Sequence, residues 1–225
     1  MTLVTWKDLV IDAVDAPSSA EFWAERLGLR RELFDDGDDA VLRGDDPGQT
    51  VWINPVPEEK TVKNRVHIDV RGSLADQGGL RRLSEPGQFS WTTFADPEGH
   101  EFCVFDSDSV TAFKALEVDA VDHASIAAWW ADVVGGDLTH HPDHGYSSLE
   151  NVPGMPGEGF DFAPVPEAKT VKNRVHWDVV LQPGVTTDDL VARGASVLRP
   201  PLDDEPWTVM ADPEGNEFCV FPPRE

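Results

Sequence analysis

The feature that most limits what this chain can fold into is an internal repeat. Lys60 to Val70 reads KTVKNRVHIDV and Lys169 to Val179 reads KTVKNRVHWDV; Ala95 to Phe105 reads ADPEGHEFCVF and Ala211 to Phe221 reads ADPEGNEFCVF. His67 and His176 lie 109 residues apart, and Cys103 and Cys219 lie 116 apart, so one unit occurs twice with a small length difference between its landmarks. Repetition of this kind sets the domain count more firmly than length does. It divides the 225 residues into two copies, 1–108 and 109–225, each large enough for its own core.

Charge narrows the partners. Forty-two acidic against 18 basic residues give a net charge of −24, a field that repels phosphate backbones and anionic membranes, so neither nucleic acid nor a membrane is expected as a partner. Met1 to Asp8 has no basic segment followed by an apolar run, and the most apolar helical stretch, Ala124 to Val134, is too short to span a bilayer. Cys103 and Cys219 sit at equivalent points of the copies, which suits a site or core position better than a disulfide framework. A cytoplasmic, reducing location is the expectation. Six of the 18 basic residues lie in the two KTVKNR segments, either balancing charge or forming a local mouth that tolerates anions.

Hydrophobic periodicity supplies the elements. Leu9, Ile11 and Ala13 alternate with Asp8, Val10 and Asp12, the period of a half-buried strand. A helix follows, with Asp15 as cap, Pro17 in its first turn, Ala20, Trp23, Ala24 and Leu27 as its apolar stripe and Gly28 at its end. Strands near Leu29–Phe34, Ala40–Arg43 and Thr50–Asn54 complete a β-α-β-β-β unit, with DDGDD as a solvated hairpin turn. A second unit runs through Val66–Val70, a helix over Ser73–Leu83, Trp91–Ala95, a DPEG turn and Glu101–Phe105. From Lys114 the order restarts: a helix from His123 to Val134, strands near Leu138, Tyr146 and Phe160, a last helix capped by Thr187, and strands to Phe221. His140, His141 and His144 flank Pro142 and Gly145 and read as a surface loop rather than a designed metal site.

Four such modules, with the passages DAPSSAEFWAERLG and DHASIAAWWADVVGG, the strands NRVHIDV and NRVHWDV, and the endings DPEGHEFCVF and DPEGNEFCVF, resemble the vicinal oxygen chelate superfamily. This is the glyoxalase, bleomycin-resistance and extradiol dioxygenase group, and the likeness is to its small glyoxalase-like domains. It implies an α+β fold of four βαβββ modules paired into two cup-shaped domains with helices outside. It also implies a divalent metal held on the inner face by the first and last strands of each module. Carried onto this chain, the ligand positions are Asp8 and Ala115, Trp52 and Asp161, His67 and His176, and Cys103 and Cys219 where a glutamate is usual. Neither copy has the two-histidine or His/Glu set of a working glyoxalase, nor two histidines and a carboxylate for iron, which speaks against lactoylglutathione lyase activity.

Strand parity agrees. Val66, Ile68, Val70, Phe102 and Val104 form an apolar surface suited to covering helices, so Arg65, His67, Asp69, Glu101, Cys103 and Phe105 face the other side, as do Arg174, His176, Asp178, Glu217, Cys219 and Phe221. Three readings of that face stand side by side. In a metal site, Asp8, His67 and Cys103, or Asp161, His176 and Cys219, would supply oxygen, nitrogen and sulfur ligands to zinc or another transition metal. In a metal-free site, His67 with Asp69 or Glu101, and His176 with Asp178 or Glu217, would form acid/base pairs, with Arg65 and Arg174 holding an anionic oxygen. In a structural role, the cysteines are small core hydrophobes, the histidines are satisfied by carboxylates and Arg65 bridges to Glu101. Trp177 has core parity, Trp23, Trp129 and Trp130 belong to the core or a domain interface, and Trp52, Trp91 and Trp207 could line a cup and stack on a flat ligand.

The expected function is therefore the handling of a small organic molecule in one or both cups. If the chain is an enzyme, its chemistry is of lyase, isomerase, hydrolase or dioxygenase type. The alternative is a binding protein that sequesters a drug or metabolite. A monomeric pseudo-dimer is the expected assembly, with a homodimer as the other form; which module pairs with which is left open by the sequence.

Overall fold

The structure is a computed structural model and describes residues 2–33, 40–108 and 112–223. The DDGDD turn and Phe34 lie outside the described residues. The first module is β1 (Val4–Ala13), α1 (Ala16–Leu27), β2 (Arg30–Leu33), β3 (Ala40–Arg43) and β4 (Thr50–Pro55). The second is β5 (Val66–Gly72), a single 3-10 turn over Leu74–Gln77, β6 (Arg81–Arg82), β7 (Thr92–Ala95) and β8 (Glu101–Asp106). The third is β9 (Ala112–Ala120), α2 (His123–Val133), β10 (Asp137–His141), β11 (Tyr146–Glu150) and β12 (Gly159–Pro164). The fourth is β13 (Val175–Leu181), α3 (Thr187–Val191), β14 (Ser196–Arg199), β15 (Thr208–Ala211) and β16 (Glu217–Phe221).

Local chemistry accounts for the two long helices. Asp15 and Asp122 accept hydrogen bonds from Ser18 N and Ser125 N at the N-termini, and Gly28, at φ 66°, closes α1 in the left-handed conformation that only glycine adopts without cost. The helix expected over Ser73–Leu83 reduces to one turn. Leu74 and Leu83 are both exposed, so no apolar stripe forms, and the GlyGly pair at 78–79 follows at once. The last helix is capped by Thr186, one residue before the expected cap, in a reciprocal arrangement with Asp189. His140 and His141 belong to β10 rather than to a loop, with their rings on Ser147 Oγ and Ser148 Oγ.

The sheets cross the repeat. One eight-stranded sheet runs β14-β15-β16-β13-β1-β4-β3-β2 and joins the first module to the fourth; the other runs β10-β11-β12-β9-β5-β8-β7-β6 and joins the second to the third. Each closes through an antiparallel pair of first strands, β1 with β13 and β5 with β9. The helices fill the space between the sheets. Trp23 of α1 packs on Phe102 of β8 at 5.5 Å, and Trp130 of α2 reaches Phe160 of β12 and both Trp177 and Phe218 of β13 and β16. A continuous buried cluster from Leu3 to Val220 results, and the opposite face of each sheet is left to form a cup. Trp177, fully buried, has the core position its parity requires.

Candidate functional site

Strand register sets what meets in each cup. In the first, Asp8 lies opposite Asp178, Val10 opposite both His176 and Trp52, and Asp178 beside Cys219. The Lys7 ammonium lies on this face: it ion-pairs with Asp8, lies 3.6 Å from Asp178 and sits 4.1 Å from the centre of the Phe221 ring. Trp52 Nε1 donates to the same Asp8 carboxylate at 3.0 Å, and Trp207 stacks on Phe221. Burial raises the Asp178 carboxyl to about 7 against the pull of Lys7, with Asp8 adding to the rise. Burial also holds His176 toward its neutral form and, with Asp178 beside it, pushes the Cys219 thiol up.

The second cup has the same plan and a different charge. Ala115 stands where Asp8 is, Glu117 where Val10 is, and Asp161 where Trp52 is, so the carboxylates have moved along the strands without leaving the face. Ligand atoms of Asp69, Glu117 and Asp161 lie within 4.8 Å of one another, as do those of His67, Asp69 and Cys103, with Asp69 common to both groups. Lys114, the counterpart of Lys7, reaches Asp161, at 3.9 Å, and no second carboxylate among the described residues, and it rests 4.2 Å from the centre of the Phe105 ring. Burial, followed by repulsion from neighbouring carboxylates, raises Glu117 to about 7 even with His67 opposing; burial raises Asp161 to about 6 against Lys114. Burial disfavours the His67 imidazolium, yet contact with Asp69 and then Cys103 overcomes it and the pKa ends well above the usual value. His67 Nδ1 is 3.3 Å from Asp69 Oδ1, but out of line, and neither atom has a hydrogen-bond partner. The Cys103 thiol, raised by burial, lies 3.5 Å from Thr93 Oγ1.

Several expected residues meet, but in other combinations. Asp8 shares a cup with His176 and Cys219 rather than with His67 and Cys103, and Asp161 shares one with His67 and Cys103, because the modules pair across the repeat. Glu101 and Glu217 do not pair with the histidines. Glu101 accepts from Lys60 Nζ at 2.8 Å and Asn64 N at 3.0 Å, and Glu217 accepts from Lys169 Nζ at 2.6 Å and Asn173 N at 3.1 Å, so both tie down the KTVKNR loops. Arg65 donates to the Glu167 carbonyl instead of bridging to Glu101. Trp91 is half-buried between Phe89 and Phe105, a stacked aromatic wall beside the second cup. Glu117, Lys7 and Lys114 were missed. Comparing DLVIDAVD with ALEVDAVD reveals the signal for Glu117, a carboxylate shifted by two residues and hence kept on one face of the strand.

Two sheets of paired βαβββ modules with acidic, histidine-bearing faces define the vicinal oxygen chelate architecture. The glyoxalase-like domain family matches residues 8–105 and 115–221, and the chain belongs to that family. No curated protein sequence matches the chain. Among solved structures it is similar to glyoxalase I from Zea mays, at 14% identity and a TM-score of 0.70 over 96% of this chain and 92% of that one. It is also similar to a Bacillus subtilis protein proposed to be a dioxygenase, at 13% identity and a TM-score of 0.65 over 100% and 86%. The cppA protein from Streptococcus pneumoniae shares the fold at 11% identity and a TM-score of 0.53 over 98% of both chains. At these identities the likeness is one of fold.

Proposed function

We propose that the second cup is the working site of this protein and acts on a small oxygen-bearing organic molecule with the help of one divalent cation, while the first cup is closed by its own lysine. The observation that carries this reading is the convergence of buried Asp69 with half-buried Glu117 and Asp161 within 4.8 Å of one another, with one lysine at their edge. Three carboxylates so close repel one another, and a hard cation would relieve that repulsion. The donor set fits such an ion. It is oxygen-rich, which favours manganese over zinc, and the Cys103 thiol, raised by burial, stands outside the three-carboxylate group. The first cup also brings His176, Asp178 and Cys219 within 4.8 Å of one another, but it lacks the three-carboxylate group: Lys7 pairs with Asp8 and lies beside Asp178 there, and a valine stands in the place of Glu117.

When bound, the ion would act as a Lewis acid toward a carbonyl or enolate oxygen. The chain's own groups would do the rest. Asp69, Glu117 and Asp161 hold the charge, and His67, beside Asp69 and nine-tenths buried, takes up or returns a proton at Nδ1. The Phe89–Trp91–Phe105 wall offers a flat apolar surface for the body of the ligand. That wall also favours a second reading, sequestration without chemistry, in which the same face binds and the proton is never moved.

Manganese titration of untagged, chelator-stripped protein, followed by electron paramagnetic resonance, tests the proposal. One ion per chain is expected, lost in a Glu117→Gln, Asp161→Asn variant that still folds. No binding, two ions per chain, or full binding by the variant would overturn it.

A further inference from the structure

Both KTVKNR segments line one open cavity of about 300 Å3, and none of the cup histidines, cysteines or carboxylates described above is part of its lining. Its inner wall is made by Asn64, Arg65, Asn173 and Arg174, and its sides include Val62, Val165 and Val171. The carboxylates on its lining are spoken for or peripheral. Asp119 is ion-paired with Lys63, and Glu58, Glu59 and Glu167 are exposed at the rim.

The inner wall, by contrast, is short of acceptors. Arg174 is 7% exposed, and its Nε and Nη2 have no hydrogen-bond partner; Asn64, 5% exposed, has none for Nδ2; Arg65 has none for Nε. Neither arginine has a carboxylate partner among the described residues. Every unpartnered buried atom on this lining is a donor, and a buried guanidinium left without an acceptor is among the costliest arrangements in a protein interior. The cups differ, since their unpartnered atoms include carboxylate oxygens, Asp69 Oδ1 and Asp178 Oδ1, beside the imidazole Nδ1 atoms. The pairings of the neighbouring lysines keep the wall in position: Lys60 and Lys169 are tied to Glu101 and Glu217, and Lys172 to Asp12.

We propose that this cavity is a binding site for a small organic carboxylate, its two oxygens received by the Arg174 guanidinium and the Asn64 amide and its apolar body lying against the valine walls. A guanidinium fork matches a carboxylate in a two-pronged geometry, and the valines favour an organic body over a bare inorganic ion. The site is independent of the cup chemistry proposed above.

Isothermal titration of the whole chain with benzoate, and separately with inorganic phosphate, in low-chloride buffer tests this. Saturable binding of one benzoate per chain is expected, weakened at least tenfold by Arg174→Met. Val171→Trp, which fills the cavity from an exposed wall position, is expected to weaken it equally and serves if the arginine variant does not fold. Absence of saturable benzoate binding, or binding that the folded variants retain within twofold, overturns the proposal. Phosphate bound tenfold more tightly than benzoate overturns the assignment to an organic carboxylate.

Discussion

Lys7 and Lys114 occupy the same position in two copies of one strand, yet they do different things because their neighbours differ. Lys7 lies between Asp8 and Asp178; Lys114 reaches one carboxylate of three. Replacing Lys7 with methionine would leave Asp8 and Asp178 facing each other in a buried setting. It is expected to lower stability by about 2–3 kcal/mol in chemical denaturation, near the lower end for a broken buried pair because the lysine is partly exposed. A change under about 0.5 kcal/mol would mean that the ammonium is not what closes the first cup. Asp178 offers a pH test. Its carboxyl is raised to about 7 in the folded protein and ionises near 3.9 in an unfolded chain, so between those values the folded state binds more protons. Its contribution to stability is therefore full below about pH 4, falls as pH rises to about 7 and is constant above. Asp178→Asn removes that slope. Relative to wild type, the variant should gain on the order of 3 kcal/mol between pH 4.5 and pH 8, and parallel stability curves would refute it. At this scale repetition made His67, His176, Cys103 and Cys219 legible. Glu117 was not, because its counterpart Val10 is apolar and repetition had nothing to mark.

The DPEG turns show how one short element serves two modules. Asp212 accepts from Glu214 N and Asn216 N at 2.9 Å each and from Trp130 Nε1 at 3.1 Å, so it shapes the turn and anchors α2 at once. Asp96 does the same for Glu98 N, His100 N and Trp23 of α1. The turn glutamates reach outward: Glu98 accepts from Val14 N and Asp15 N, and Glu214 from Val121 N and Asp122 N, at the strand-to-helix corners. Asp212→Ala would strand buried donors, each worth about 1–3 kcal/mol. A loss of about 3 kcal/mol is expected, accompanied by a red shift of tryptophan fluorescence as Trp130 loosens. An unchanged midpoint would show that the turn is held by its backbone alone. The turn and its glycine could be read from the chain, whereas the tryptophan partners, 73 and 82 residues from their aspartates, could not.

At the scale of the molecule, each sheet is completed by a strand from the other copy. Severing the chain after residue 108 would leave β1 and β5 without β13 and β9, two open edges that must be covered. Residues 1–108 alone are expected to run as a dimer on size-exclusion chromatography, and the two halves produced together to reassemble one to one. A stable monomeric half with native-like circular dichroism would refute this, since β1 and β5 would then have paired within one copy. No helix among the described residues is long and apolar enough to cross a membrane.

The sequence by itself determined the module count, the module order, the face on which each strand residue lies and the family, because periodicity, turn chemistry and repetition are local and survive without coordinates. Tertiary structure alone decided which modules share a sheet. That choice depends on the edges of β1 and β5 finding partners more than 40 residues away, and repeated modules with the same strand periodicity make either pairing compatible with the same local pattern. The choice carries the site with it. It brings Asp161 to His67 and sends Asp8 to His176, gathers three carboxylates in one cup and leaves the other to Lys7, and folds both copies of KTVKNR around a single cavity.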